Sequence, residues 1–152
     1  MTKDVLLSMK GIQFGITDDN GKAEDVDVIT NAEYYNRNGR HFVLFEETQE
    51  KTGDKIKSMI KFDDKLMEVT RRGAINTHMI FDMSAQNMSD YSTPYGSMLV
   101  GIDTRNISLT EQENRISVQV DYGLAVNYEH LSDCRINMEI CPRESSEMLM
   151  NN

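Results

Sequence analysis

From Ile116 to Tyr128 every second residue is apolar: Ile116, Val118, Val120, Tyr122, Leu124, Val126 and Tyr128. A period of two means a strand with one dry face and one wet face. At ~3.4 Å per residue it would run roughly 40 Å, about twice the usual strand. A flat strand of that length does not fit a small domain. Wound around a core, with the side-chain-free Gly123 at a bend, it fits a barrel or a strongly curled sheet.

The rest of the chain repeats the pattern. Val5, Leu7 and Met9 share one parity and Ile12, Phe14 and Ile16 the other, so a bulge is expected at Lys10-Gly11. Val26–Tyr34, His41–Thr48, Ile56–Phe62, Leu66–Arg71 and Ile75–Met83 alternate in turn, separated by Asn-Gly, Gly-Asp and Arg-Gly steps. A short strand carries Tyr91. Thr93-Pro94-Tyr95-Gly96 reads as a type I turn. Met98, Val100, Ile102 and Thr104 then give way to Ile107 and Leu109, a second parity flip near Arg105-Asn106. Cys134, Ile136, Met138 and Ile140 share the face of the last strand, which Pro142 ends. No segment holds a helical period. The pattern predicts an all-β fold: a single antiparallel up-and-down β-barrel of about ten strands over residues 1–142, with a polar C-terminal tail at 143–152. A two-sheet sandwich is the alternative. Closing the meander removes the two edges that would invite aggregation.

Sixteen basic residues against 25 acidic ones give a net charge of −9. That balance argues against general nucleic-acid binding and against an anionic membrane surface. No apolar run approaches the ~18 residues of a membrane helix. The start holds too few apolar residues for a signal peptide, so the cytoplasm is the expected compartment. The two cysteines, Cys134 and Cys141, lie an odd number of steps apart on one strand and face opposite ways; they read as small packing thiols.

The stretches Arg71-Arg72-Gly73, Tyr91-Ser92-Thr93-Pro94-Tyr95-Gly96, Gly101-Ile102-Asp103-Thr104 and Val120-Asp121-Tyr122-Gly123-Leu124 resemble the YwiB-like family. So does the earlier Tyr34-Tyr35 … Phe45-Glu46-Glu47 pattern, with Phe45 standing where the family has tyrosine. The resemblance spans residues 4–141, and Tyr-x-Thr-Pro-Tyr-Gly is its most specific part. It implies a calycin-like, lipocalin-type β-barrel among small uncharacterised bacterial proteins. It implies no activity.

Few residues point to chemistry. His41, His78 and His130 follow no metal-ligand spacing and read as surface or satisfied core residues. There is no phosphate loop, nucleophile elbow or zinc-type cysteine pattern, so no catalytic residue, metal or cofactor is expected. Adjacent residues on a strand face opposite ways, so one of Glu46 and Glu47 must face inward. A carboxylate there needs a partner, and Arg72, beside Gly73 at a strand end, is the expected one. Tyr35, Tyr91, Tyr95 and Tyr122 combine an apolar ring with a polar tip, suited to a ligand pocket or to plain packing. Together with Glu47, Arg72 and Thr104 they make up the expected ligand-binding set at the barrel interior or mouth. Met9, Met79, Met83, Met98 and Met138 fall on inward parity, where thioethers adapt to varied contacts. Lys55, Lys57 and Lys61 form an outward basic stripe, with Arg71 expected beside it.

Short turns leave little material for a loop-built site. The leading expectation is a cytoplasmic binding module for a small, partly apolar ligand. The alternative is a protein-interaction or structural factor with a filled barrel. An enzyme ranks third.

Overall fold

The computed structural model describes residues 3–16, 23–48, 53–73, 76–93 and 96–143, by backbone alone at 12–16, 23–26, 90–93 and 96. Ten strands follow one another: β1 (Asp4–Ile16), β2 (Ala23–Arg37), β3 (Arg40–Thr48), β4 (Lys55–Phe62), β5 (Leu66–Arg72), β6 (Thr77–Asp82), β7 (Asn87–Thr93), β8 (Gly96–Gln112), β9 (Arg115–Val126) and β10 (Glu129–Pro142). All pair antiparallel in a single sheet of order β6-β5-β4-β3-β2-β1-β10-β9-β8-β7. The first and last strands join from Val5↔Pro142 to Lys10↔Asn137, and the edge strands β6 and β7 curl round to meet. The Phe81 ring of β6 meets the Tyr122 ring of β9 edge-on, with centroids 4.8 Å apart. The result is a nearly closed up-and-down barrel. No helix among the described residues is long and apolar enough to cross a membrane.

Alternation decides which side chains fill it. Val118, Val120, Tyr122 and Leu124 on β9 are buried, while Ser117, Gln119 and Asp121 between them are half-buried. Inward residues from nine strands join one apolar cluster, among them Leu7, Val28, Val43, Ile60, Met67, Phe81, Ile102 and Met138. The barrel is therefore packed with its own side chains.

Both parity flips are present. The β1–β2 ladder shifts between Met9 and Ile12, with Gly11 at φ 84°. The β8–β9 ladder skips Arg105 between Thr104 and Asn106. That bulge turns Ile107, Leu109 and Glu111 to the face already occupied by Ile102 and Thr104. The freed Arg105 lies across Gly123, where a Cβ would stand 3.0 Å from its Nη2, and reaches Asp133 at 2.7 Å. Gly123 thus makes room for a crossing side chain.

Three expectations need correction. β9 stops at Val126; Asn127 and Tyr128 turn with φ of 49° and 70°, and Tyr128 is exposed instead of continuing the dry face. Met83 lies past the end of β6 and is exposed, and Met98 is only half-buried. The turns at 17–22 and 94–95 and the tail at 144–152 fall outside the described residues. Cys141 is buried, which pushes its thiol up; Cys134 packs half-buried against the core.

Candidate functional site

The wall of the barrel is not continuous. β2 and β3 form a hairpin around Asn38 and Gly39, both at positive φ, as a two-residue turn requires. Their ladder runs only from Arg37↔Arg40 to Glu33↔Leu44. Beyond that point β2 stays with β1 and β3 with β4, so the two strands part. A cleft of about 410 Å3 fills the wedge, with Asn31, Ala32 and Glu33 on one side and Leu44, Phe45 and Glu46 on the other. Ala32, Phe45 and Ser58 form its floor and stay nearly buried, so the cleft is an open groove that stops at the packed interior.

Behind it lies a polar row in an otherwise apolar interior. Phe45, Ser58, Arg71 and Thr77 are successive register partners across β3, β4, β5 and β6. Ser58 Oγ donates to Glu47 Oε1 at 3.3 Å, and Arg71 Nη2 stands 3.5 Å from Glu47 Oε2. The Arg71 side chain is 11% exposed and that of Glu47 24%. Among the described residues Thr77 Oγ1 is buried with no hydrogen-bond partner. A partly dry carboxylate–guanidinium pair at long range thus stands beside a buried hydroxyl, polar groups that an apolar core does not need for packing.

A second network closes the opposite end. His41 is 2% exposed and stacks on Phe62 at 4.7 Å. Its Nε2 lies 2.6 Å from Glu111 Oε1 on β8, across the mouth, and its Nδ1 lies 2.6 Å from the Tyr34 hydroxyl. A carboxylate only accepts, so in the neutral ring Nε2 carries the proton and Nδ1 accepts from Tyr34. Asn36 Nδ2 donates to the phenol oxygen at 3.4 Å. The bulge at Arg105 aims Glu111 inward and so makes this bridge possible.

The order hydroxyl, imidazole, carboxylate is that of an activated nucleophile. Tyr34, however, is buried, and burial pushes its phenol above the ordinary 10.0; donation from Asn36 opposes that, and the charge of Glu111 adds to it. The hydroxyl holds its proton, and the network acts as a latch tying the β2–β3 hairpin to β8. Its folded-state value lies above the unfolded one, so its contribution is whole below pH 10 and is lost as pH rises through the folded value. Tyr34→Phe should therefore flatten the fall of stability above pH 10 and cost ~1 kcal/mol at neutral pH for the lost bond. Urea titrations from pH 8 upward would show it; parallel alkaline slopes would refute it.

The residues singled out from the sequence do not converge. Arg72 lies on the exposed outer face: alternation through Met67 and Val69 continues unbroken, so Arg71 takes the inward position and meets Glu47. Tyr35 likewise faces out, donating to Glu33 Oε2 at 2.9 Å, and its neighbour Tyr34 is the inward tyrosine. Tyr122 is wholly buried in the core. Thr104 is buried, with Oγ1 lacking a hydrogen-bond partner among the described residues, and pairs with Tyr122 far from the Glu47 row in strand order. The Tyr91 side chain and Tyr95 lie outside the described residues. Ser58 and Thr77 lie inward as their parity predicts and His41 is a satisfied core histidine, but none was singled out for the site; Arg71, expected beside the outward basic stripe, instead points in, and Glu111 was not singled out. Parity could have found His41, which alternates with Val43 and Phe45, and Glu111, which follows Ile107 and Leu109. Among the described residues no group of histidine, cysteine and acidic side chains could hold a metal ion.

A family model described as a domain of unknown function (DUF1934) matches residues 11–138. The chain belongs to this family. The uncharacterized beta-barrel protein YwiB of Bacillus subtilis (strain 168) is 25% identical over 126 residues, covering 82% of this chain and 87% of YwiB. The crystal structure of the ywiB protein from Bacillus subtilis matches with a TM-score of 0.69 over 92% of each chain, at 18% identity. That structural likeness shows the fold alone. The motif resemblance to the YwiB-like family is thereby shown, and with the family of unknown function and the relative uncharacterised, no activity passes to this chain.

Proposed function

We propose that this protein is a cytoplasmic binding module for a small, partly apolar ligand, held where the wall opens between β2 and β3. One observation carries the reading: an open cleft of about 410 Å3 has Ser58 in its floor, and Ser58 bonds to Glu47 of the polar row behind it. Small-molecule sites span roughly 300–1,000 Å3 and pair an apolar lining with a few polar groups. Ala32, Leu44 and Phe45 offer apolar contact among polar neighbours that include Asn31, Glu46 and Lys57, and Ser58 leads on to Glu47 and Arg71. The acidic balance favours neither nucleic acid nor an anionic membrane as partner. A packed barrel supports the second reading, a protein-interaction or structural factor.

Native mass spectrometry of protein purified from its host tests the proposal. Wild type should carry one bound molecule. Arg71→Met should lose it while melting within a few degrees of wild type, because an anchor acts on binding more than on packing. Bare wild-type protein, or equal retention by Arg71→Met, would overturn the reading.

A further inference from the structure

The ended ladder has a consequence for the backbone itself. β2 runs on to Ala23 and β3 to Thr48, past their last shared pair at Glu33↔Leu44. Among the described residues, Val28–Ala32 of β2 pair only with β1, and Phe45–Thr48 of β3 only with β4. In a strand, alternate residues turn their N–H and C=O groups to opposite sides. Each strand therefore presents half a ladder to the gap, the arrangement that recruits a further strand. Ile29, 61% exposed, and Leu44, 38% exposed, flank the gap on its outer side.

Charge narrows the occupant. Glu46 faces Lys57 in register, and Arg143 reaches Asp4 at 3.9 Å, so the basic groups at the gap are set against acidic ones. Asp27 stands on the outer side of β2, and Glu33, which accepts from Tyr35 and has Lys3 beside it, adds a second carboxylate there, on a chain of net charge −9. We propose that an extended segment of a basic partner protein adds as a strand to the open edge of β2. Its backbone completes the half-ladder, its apolar side chains cover Ile29, and its lysines or arginines face Asp27 and Glu33. A second copy of this chain fits poorly, since it would bring two acidic edges and two charges of −9 together. This inference stands on the ended ladder and not on the small-ligand reading.

The test uses the full chain and a capped heptapeptide with lysine at positions 1 and 7, valine at 3 and 5 and threonine between, so that lysines and valines share the face that meets Asp27, Ile29 and Glu33, read by fluorescence anisotropy and by amide hydrogen exchange. The peptide should bind and slow exchange within residues 27–32. The same peptide methylated on every backbone nitrogen keeps its charge and side chains but loses its donors; it should bind at least about tenfold more weakly. The chain carrying Asp27→Lys and Glu33→Lys should lose affinity by a similar factor. Equal affinity for the two peptides, slowed exchange only outside 27–32, or no binding to wild type would each overturn the proposal. Loss of the small-ligand adduct in native mass spectrometry would leave these results unchanged.

Discussion

Gly11→Ala should destabilise the barrel by ~2–6 kcal/mol, of which ~1–3 comes from the left-handed backbone and ~1–3 from displaced neighbours. Gly11 has φ 84°, and a Cβ there would stand 2.0 Å from the Arg135 carbonyl oxygen. That oxygen belongs to β10, so no flexible side chain can give way; the backbone of the first and last strands must separate. The position lies just past Lys10↔Asn137, the last pair of the ladder that joins the two ends of the chain. Damage there opens the sheet at its middle. Urea unfolding would measure the loss, and a change under about 0.5 kcal/mol, the scale of ordinary surface substitutions, would show that β1 does not approach β10 this closely.

Leu124→Ala should cost ~2–5 kcal/mol, the range for deleting a buried leucine side chain and leaving its cavity. Leu124 is wholly buried on β9, paired with Ile102 of β8 and Ser132 of β10. Its neighbours come from a continuous packed cluster, which cannot collapse into the space at little cost. A loss below about 0.5 kcal/mol in the same titration would mean a wet interior.

The fold was legible because a strand period of two is written directly in residue order. The alternation through Val118, Val120 and Leu124 gave the dry face, and the parity changes at Gly11 and Arg105 located two of the four register shifts among the described residues, those between Gln13 and Ile16 and between His130 and Ser132 being missed. Site residues were harder, because strand parity is unforgiving. An error of one position exchanges inside for outside, and that separates Arg72 from Arg71 and Tyr35 from Tyr34. Arg72 adjoins Gly73 at the strand end and drew the assignment, whereas the parity of Met67 and Val69 carries on to Arg71. The mouth network escaped for another reason: His41 and Glu111 stand 70 residues apart and meet only because the sheet curls and the bulge at Arg105 re-aims β8. The parting of β2 from β3 left no mark in the alternation, since both strands keep their period through it.

Engineered disulfides test the open wall most directly. Tyr35 and Phe42 are register partners, and continuing that register would set Ile29 against Thr48. Paired residues of a closed antiparallel ladder have Cα atoms ~4.5–5.5 Å apart, within the ~4.4–6.8 Å that a disulfide spans. In a background of Cys134→Ser and Cys141→Ser, mild oxidation of the folded chain should bridge Tyr35→Cys to Phe42→Cys. It should leave Ile29→Cys and Thr48→Cys as free thiols, counted by alkylation and mass. Equal bridging of both pairs would mean that β2 and β3 stay together along their length, and that the cleft on which the proposed binding rests does not exist.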